Sequence, residues 1–110
     1  MKSMVLKYLL PFPADPSTLT TIIEAPRDFN PVSVGFQMSE QGRQVAVWGT
    51  CTFASDDPLE TTPKCKHAFL VVPTGVEFSD ARRKRFLGTV QYEGTSMLMV
   101  FHVFHLLRGQ

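Results

Sequence analysis

Phe86-Leu87-Gly88-Thr89-Val90-Gln91-Tyr92, then Glu93-Gly94-Thr95, then a return over residues 96–107 is the stretch that decides the fold. Two runs rich in β-branched, aromatic and other apolar residues flank a short glycine-bearing turn, which is the pattern of a β-hairpin. Met97, Met99, Phe101, Val103 and Leu107 share one face of the return strand, yet Leu98, Val100, Phe104 and Leu106 are apolar too. A strand that is apolar on both faces is either central in its sheet or covered by a partner. Homodimerisation through this C-terminal strand is therefore one expectation.

Working upstream, residues 65–73 are also apolar on both faces and predict a central strand. Val32, Val34, Phe36 and Met38 alternate with Ser33, Gly35, Gln37 and Ser39, and Glu40-Gln41-Gly42-Arg43 offers a hairpin turn into a strand over residues 44–53. On that strand Val45, Val47, Cys51 and Phe53 face one way, toward the core of Val34 and Phe36, and Ala46, Trp48, Thr50 and Thr52 face the other. Residues 5–10 and the β-branched run over 18–24 complete the set, separated by a proline-rich turn cluster at 13–17. Residues 54–64 read as a polar loop. In the charged segment over 77–85, Ser79 is placed to cap one short helical turn. The fold class is thus mostly β, with at most one short helix: a single domain over residues 1–110 built on an antiparallel sheet of about six strands.

The chain has 110 residues, 44% hydrophobic and 19% charged, with a net charge of +1. This suits a folded globular domain and excludes a global electrostatic pull toward nucleic acid or an anionic membrane. No apolar run is long enough to span a bilayer, and the opening residues lack the pattern of a signal peptide. The expectation is a protein of the cytoplasm that makes no use of a membrane. Cys51 and Cys65 then read as reduced, buried thiols; the alternative is a cross-strand disulfide in an oxidising compartment.

Motifs for chemistry are sparse. His102 and His105 would share a face on a helix, but on a strand their odd spacing sends them to opposite faces. His67 with Cys65 and Cys51 has the ligand types of zinc without a paired spacing on one face. There is no phosphate loop, no nucleophile elbow, and no acid–base pair beyond Glu77 and Asp80 in a charged segment. No catalytic residue, metal ligand or cofactor is expected, and the protein is read as no enzyme. Candidate contacts for a partner or ligand are the basic cluster Arg82, Arg83, Lys84 and Arg85, together with Trp48 and His102. The bland readings are a solvated basic loop, a tryptophan covering its own sheet, and a histidine with satisfied bonds.

Phe86-Leu87-Gly88-Thr89-Val90-Gln91, Gly94 and Leu98-Met99-Val100-Phe101-His102-Val103-Phe104 together resemble the closing signature of a family of short bacteriophage and prophage proteins of no established activity. Upstream, Leu6-Lys7-Tyr8 with Pro11, Ile22-Ile23-Glu24-Ala25-Pro26, Val32-Ser33-Val34-Gly35-Phe36-Gln37, Val47-Trp48 and Val71-Val72-Pro73-Thr74-Gly75 follow in the same order. The chain differs from the pattern in two places: Pro73 replaces a glycine, and Arg82, Arg83, Lys84 and Arg85 enlarge a plainer stretch. The resemblance implies a small phage protein in the host cytoplasm. It would bind and block a host bacterial protein, for instance of a defence system. The alternatives are a sponge for a nucleotide signal, with the basic cluster meeting phosphates, and an accessory virion or assembly protein.

Overall fold

The computed structural model describes residues 2–13, 19–53, 63–80, 82–93 and 97–107. The expected loop over 54–64, the turn cluster at 13–17 and the turn tip Gly94-Thr95 lie largely or wholly outside them. Seven strands are present: β1 Lys2–Pro11, β2 Thr20–Pro26, β3 Asn30–Ser39, β4 Gly42–Phe53, β5 Lys64–Pro73, β6 Lys84–Glu93 and β7 Leu98–Leu106. They form two antiparallel sheets, a three-stranded one in the order β1-β4-β3 and a four-stranded one in the order β2-β5-β7-β6.

The mostly β reading therefore holds, with two corrections. The strands divide between two sheets, because each amphipathic sheet needs an apolar surface to cover its inner face. Ser79 caps no helix; among the described residues there is none. Instead the Asp80 carboxylate accepts from the backbone N–H of Arg82 at 2.9 Å, a local bond that competes with helix formation.

Alternation places Leu10, Val45 and Val47 of the first sheet against Phe69, Val71, Val90, Phe101 and Val103 of the second, in one shared core. Cys51 joins that face as expected and is buried. The chain crosses from β2 to β3 by a tight turn in which Phe29 N donates to Pro26 O at 2.9 Å. That turn drops the Phe29 ring into the core, edge-on to Tyr8 at 5.1 Å and to His67 at 5.8 Å.

The two-sided strands have a structural explanation. β5 and β7 are the inner strands of the larger sheet. Their outer residues Leu70, Val72 and Leu106 form a second small core with Leu19, flanked by Val76 and Phe104. The segment following β5 folds back so that Phe78 meets Phe104 at 5.8 Å. Both edges of β7 are paired, and its outer face is covered around Leu106, while Leu98 at the other end stays exposed.

β6 and β3 meet at the seam between the sheets. A bulge shifts the register from Phe86 opposite Phe104 to Gly88 opposite Val103, which leaves Leu87 as the extra residue. Gly88 has φ of +154°, and a Cβ there would lie 2.9 Å from Val34 Cγ2 across the seam. Gly88→Ala is expected to cost about 2 kcal/mol in urea denaturation, from strain and overpacking together. A change within a few tenths of a kcal/mol would show that the seam is loosely packed.

Candidate functional site

The bulge at the seam presents Phe86 outward, 5.4 Å from the Phe104 ring and 6.5 Å from His102. Phe86 is 55% exposed, and Val32 across the seam is 56% exposed. Between them runs an open groove of about 260 Å³ lined by Pro31, Val32, Arg85, Phe86 and Leu87. Arg85 stands opposite His105 in the ladder and reaches over to β3. Its Nη2 donates to Asn30 Oδ1 at 3.0 Å and, by a short bond, to Pro31 O. An arginine held this way ties the sheet edges together and blunts them.

The rest of the basic cluster is largely committed to local bonds. Arg82 forms an ion pair with Asp80 at 2.7 Å, using both Nε and Nη2. That pairing holds the Asp80 carboxyl down at about 2. Lys84 Nζ donates to the carbonyls of Asp80 at 2.9 Å and Arg82 at 3.1 Å. Arg83 is exposed, and its carbonyl accepts from Leu107 N at 2.7 Å. The four residues thus do not converge as an anion cradle. Glu77 and Asp80 line a separate groove of about 290 Å³ beside Leu19 and Phe78, but Asp80 is already spoken for by Arg82.

Trp48 lies on the outer face of the three-stranded sheet, half-buried. Its ring rests on Gly35, where a Cβ would meet Cζ3 at 3.1 Å, and the neighbouring Ala46 is fully shielded. His102 sits on the outer face of β7, with Nε2 2.8 Å from Thr74 Oγ1 and Nδ1 3.1 Å from Thr89 Oγ1. Both ring nitrogens are thus engaged by hydroxyls, which positions the ring without leaving a ligand atom free.

His105 falls on the inner face, as the odd spacing requires, and meets His67. These two buried residues are 3% (His67) and 9% (His105) exposed. Their rings stack at 5.6 Å, and His105 also stacks on Phe69 at 5.0 Å. His67 Nε2 is 3.0 Å from Pro26 O. A carbonyl only accepts, so that nitrogen carries the proton. It therefore has no lone pair to deprotonate Cys65, whose Sγ lies 3.5 Å away. This is not the geometry of an activated cysteine. Burial, and then the Asp28 charge, push the Cys51 thiol up, which keeps it uncharged and unreactive. Cys51 on β4 and Cys65 on β5 belong to different sheets, so they are not cross-strand neighbours in one ladder. Among the described residues no group of three or more His, Cys, Asp or Glu is placed to hold a metal ion. None of their helices is long and apolar enough to cross a membrane, since they contain no helix.

Compared with family models, curated proteins and solved structures, the chain has no match. Its geometry must speak for it. The groove residues Val32, Phe86 and Leu87 were absent from the candidates drawn from the sequence, and Arg85 was present there for its charge alone. Two half-exposed apolar side chains on strands of opposite sheets give no local signal of being neighbours.

Proposed function

We propose that the protein is a small non-enzymatic phage protein that binds a host bacterial protein and docks it at the seam groove. The observation that carries this is the pair of exposed apolar walls, Phe86 and Val32, around an arginine whose guanidinium is already held in place. Aromatic and arginine side chains at the centre of a contact supply most of the energy of protein association, and a pre-ordered side chain loses little entropy on binding. The occupant that fits is an exposed segment of the partner bearing an apolar side chain beside a carboxylate. Arg85 is the one charged residue lining the groove, beside the apolar Val32, Phe86 and Leu87. The phage and host setting is supported by the resemblance of the closing hairpin and the ordered segments upstream.

A nucleotide sponge draws less support. A phosphate cradle needs converging donors, and Arg82 and Lys84 are bound to their own chain.

The test is affinity capture from bacterial lysate, followed by titration of the captured protein against three forms of the chain. Phe86→Ala is expected to weaken binding about 30-fold, the effect of losing one central contact of ~2 kcal/mol. Trp48→Ala should bind as the unaltered chain does. If Phe86→Ala binds undiminished, the groove is not the docking surface.

A further inference from the structure

We propose that the seam groove is acid-responsive: Arg85 stays clamped across the seam only while the buried His105 opposite it, stacked on His67, is uncharged. This rests on the reading of the groove as the binding surface and adds its regulation.

The proton arrangement of the pair follows from its partners. His67 Nε2 carries a proton because it faces Pro26 O at 3.0 Å. In the uncharged ring Nδ1 is then a lone pair, and His105 Nε2–H fills it at 3.4 Å. His105 Nδ1 is left as a bare lone pair, buried and without a hydrogen-bond partner among the described residues. It is the place where the next proton must go, and nothing there accepts it.

The surroundings of that nitrogen are hostile to charge. On β5 stand Phe69, stacked on the ring, and His67, with Cys65 beyond it. On β6 Arg85 lies directly opposite in the ladder. From the turn that crosses between the sheets comes the Phe29 ring, edge-on to His67, with Tyr8 of the other sheet behind it. On that side burial, and then the Asp28 charge, hold the Cys51 thiol uncharged. Burial, then His67, then Arg85 all push His105 in the same direction, down to about 4.

The consequence has a definite sign. With the seam closed His105 titrates near 4, and once it is released to solvent near 6.5. Between those values the open form holds more protons, so the closed form is fully favoured above about 6.5 and loses ground as pH falls toward 4. Over that window of about 2.5 pH units the closed-to-open ratio falls by up to about 300-fold. Arg85 is the element that gives way. It is the cation on the edge strand, and it holds β6 to β3 through Asn30 and Pro31. A charged His105 gains most by reaching water, and the clamp that holds β6 over it stands opposite it in the ladder and is repelled by it as well.

The experiment is hydrogen exchange and NMR titration of the full chain from pH 7 to pH 4, without any partner. The readouts are the His105 ring signals, the Arg85 Nε–H signal, and the protection of the Leu107 amide, which donates to Arg83 O at the foot of β6. Protection, corrected for intrinsic exchange, is expected to fall by up to about 300-fold toward pH 4, together with movement of the Arg85 signal. His105→Phe keeps the stack on Phe69 and removes the proton site; it should abolish both changes. Arg85→Met should raise the His105 midpoint, which gives a second test if His105→Phe fails to fold. The proposal is overturned if Leu107 and Arg85 respond to pH equally in His105→Phe. It is also overturned if His105 titrates near 6.5 in a seam that stays closed. Failure of the docking reading shows separately, as undiminished partner binding by Phe86→Ala.

Discussion

Gly49→Ala is expected to lower stability by about 3 kcal/mol, at the upper end of what overpacking a core costs. Gly49 faces inward on β4, opposite Leu6 on one side and Pro31 on the other. A Cβ there would sit 2.5 Å from Asn30 O and 2.6 and 2.7 Å from two carbons of the Phe29 ring. A backbone carbonyl cannot step aside as a flexible side chain can. The ring is held between Tyr8 and His67 and is itself buried. Relief would require moving the turn that carries the chain from one sheet to the other. Urea denaturation should show a lower midpoint with an unchanged slope. Gly42→Ala is the control: its φ is +99° and a Cβ there meets nothing within 4 Å. It should cost ~1 kcal/mol from backbone strain alone. Equal losses at the two positions would mean that the crossing turn yields easily.

Phe69→Ala is expected to cost about 4 kcal/mol, a large share of the 5–15 kcal/mol typical of a domain. Phe69 is fully buried on the inner face of β5 and stacks on His105 at 5.0 Å. Truncation leaves a cavity in the shared core and removes the support of the histidine pair. Trp48 fluorescence is a suitable probe, because Trp48 lies on the other sheet. If the two sheets unfold as one unit, fluorescence and far-UV circular dichroism will report the same lowered midpoint. A loss below ~2 kcal/mol would show that the core closes over the gap.

Much of the fold was legible in short stretches. The alternation in residues 32–38 and 44–53 gave the β3–β4 hairpin, with Val45, Val47 and Cys51 inward. The odd spacing of His102 and His105 correctly split them between faces. Continuing the same alternation from Val71 and from Val103 puts His67 and His105 both inward, so each half of the buried pair was readable. Their meeting was not, because it depends on β5 pairing with β7. The expected helical turn at Ser79 lost to the Asp80–Arg82 bonds, a competition between two local options that differ little in energy. Trp48, on a face of small and polar residues, and His102, a polar residue on a largely apolar strand, stood out, and the fold gives both ordinary partners, Gly35 for one and Thr74 and Thr89 for the other.

What the sequence determined by itself was the strands and their faces, since the two-residue period is a property of the extended backbone and needs no neighbour. The tertiary structure alone decided which strands share a sheet and that β6 lies against β3. It brought Arg85 to Asn30 and Pro31, and closed the groove between Val32 and Phe86. Those contacts join residues more than fifty positions apart. Many such pairings satisfy the same local pattern, and packing of the whole core selects among them.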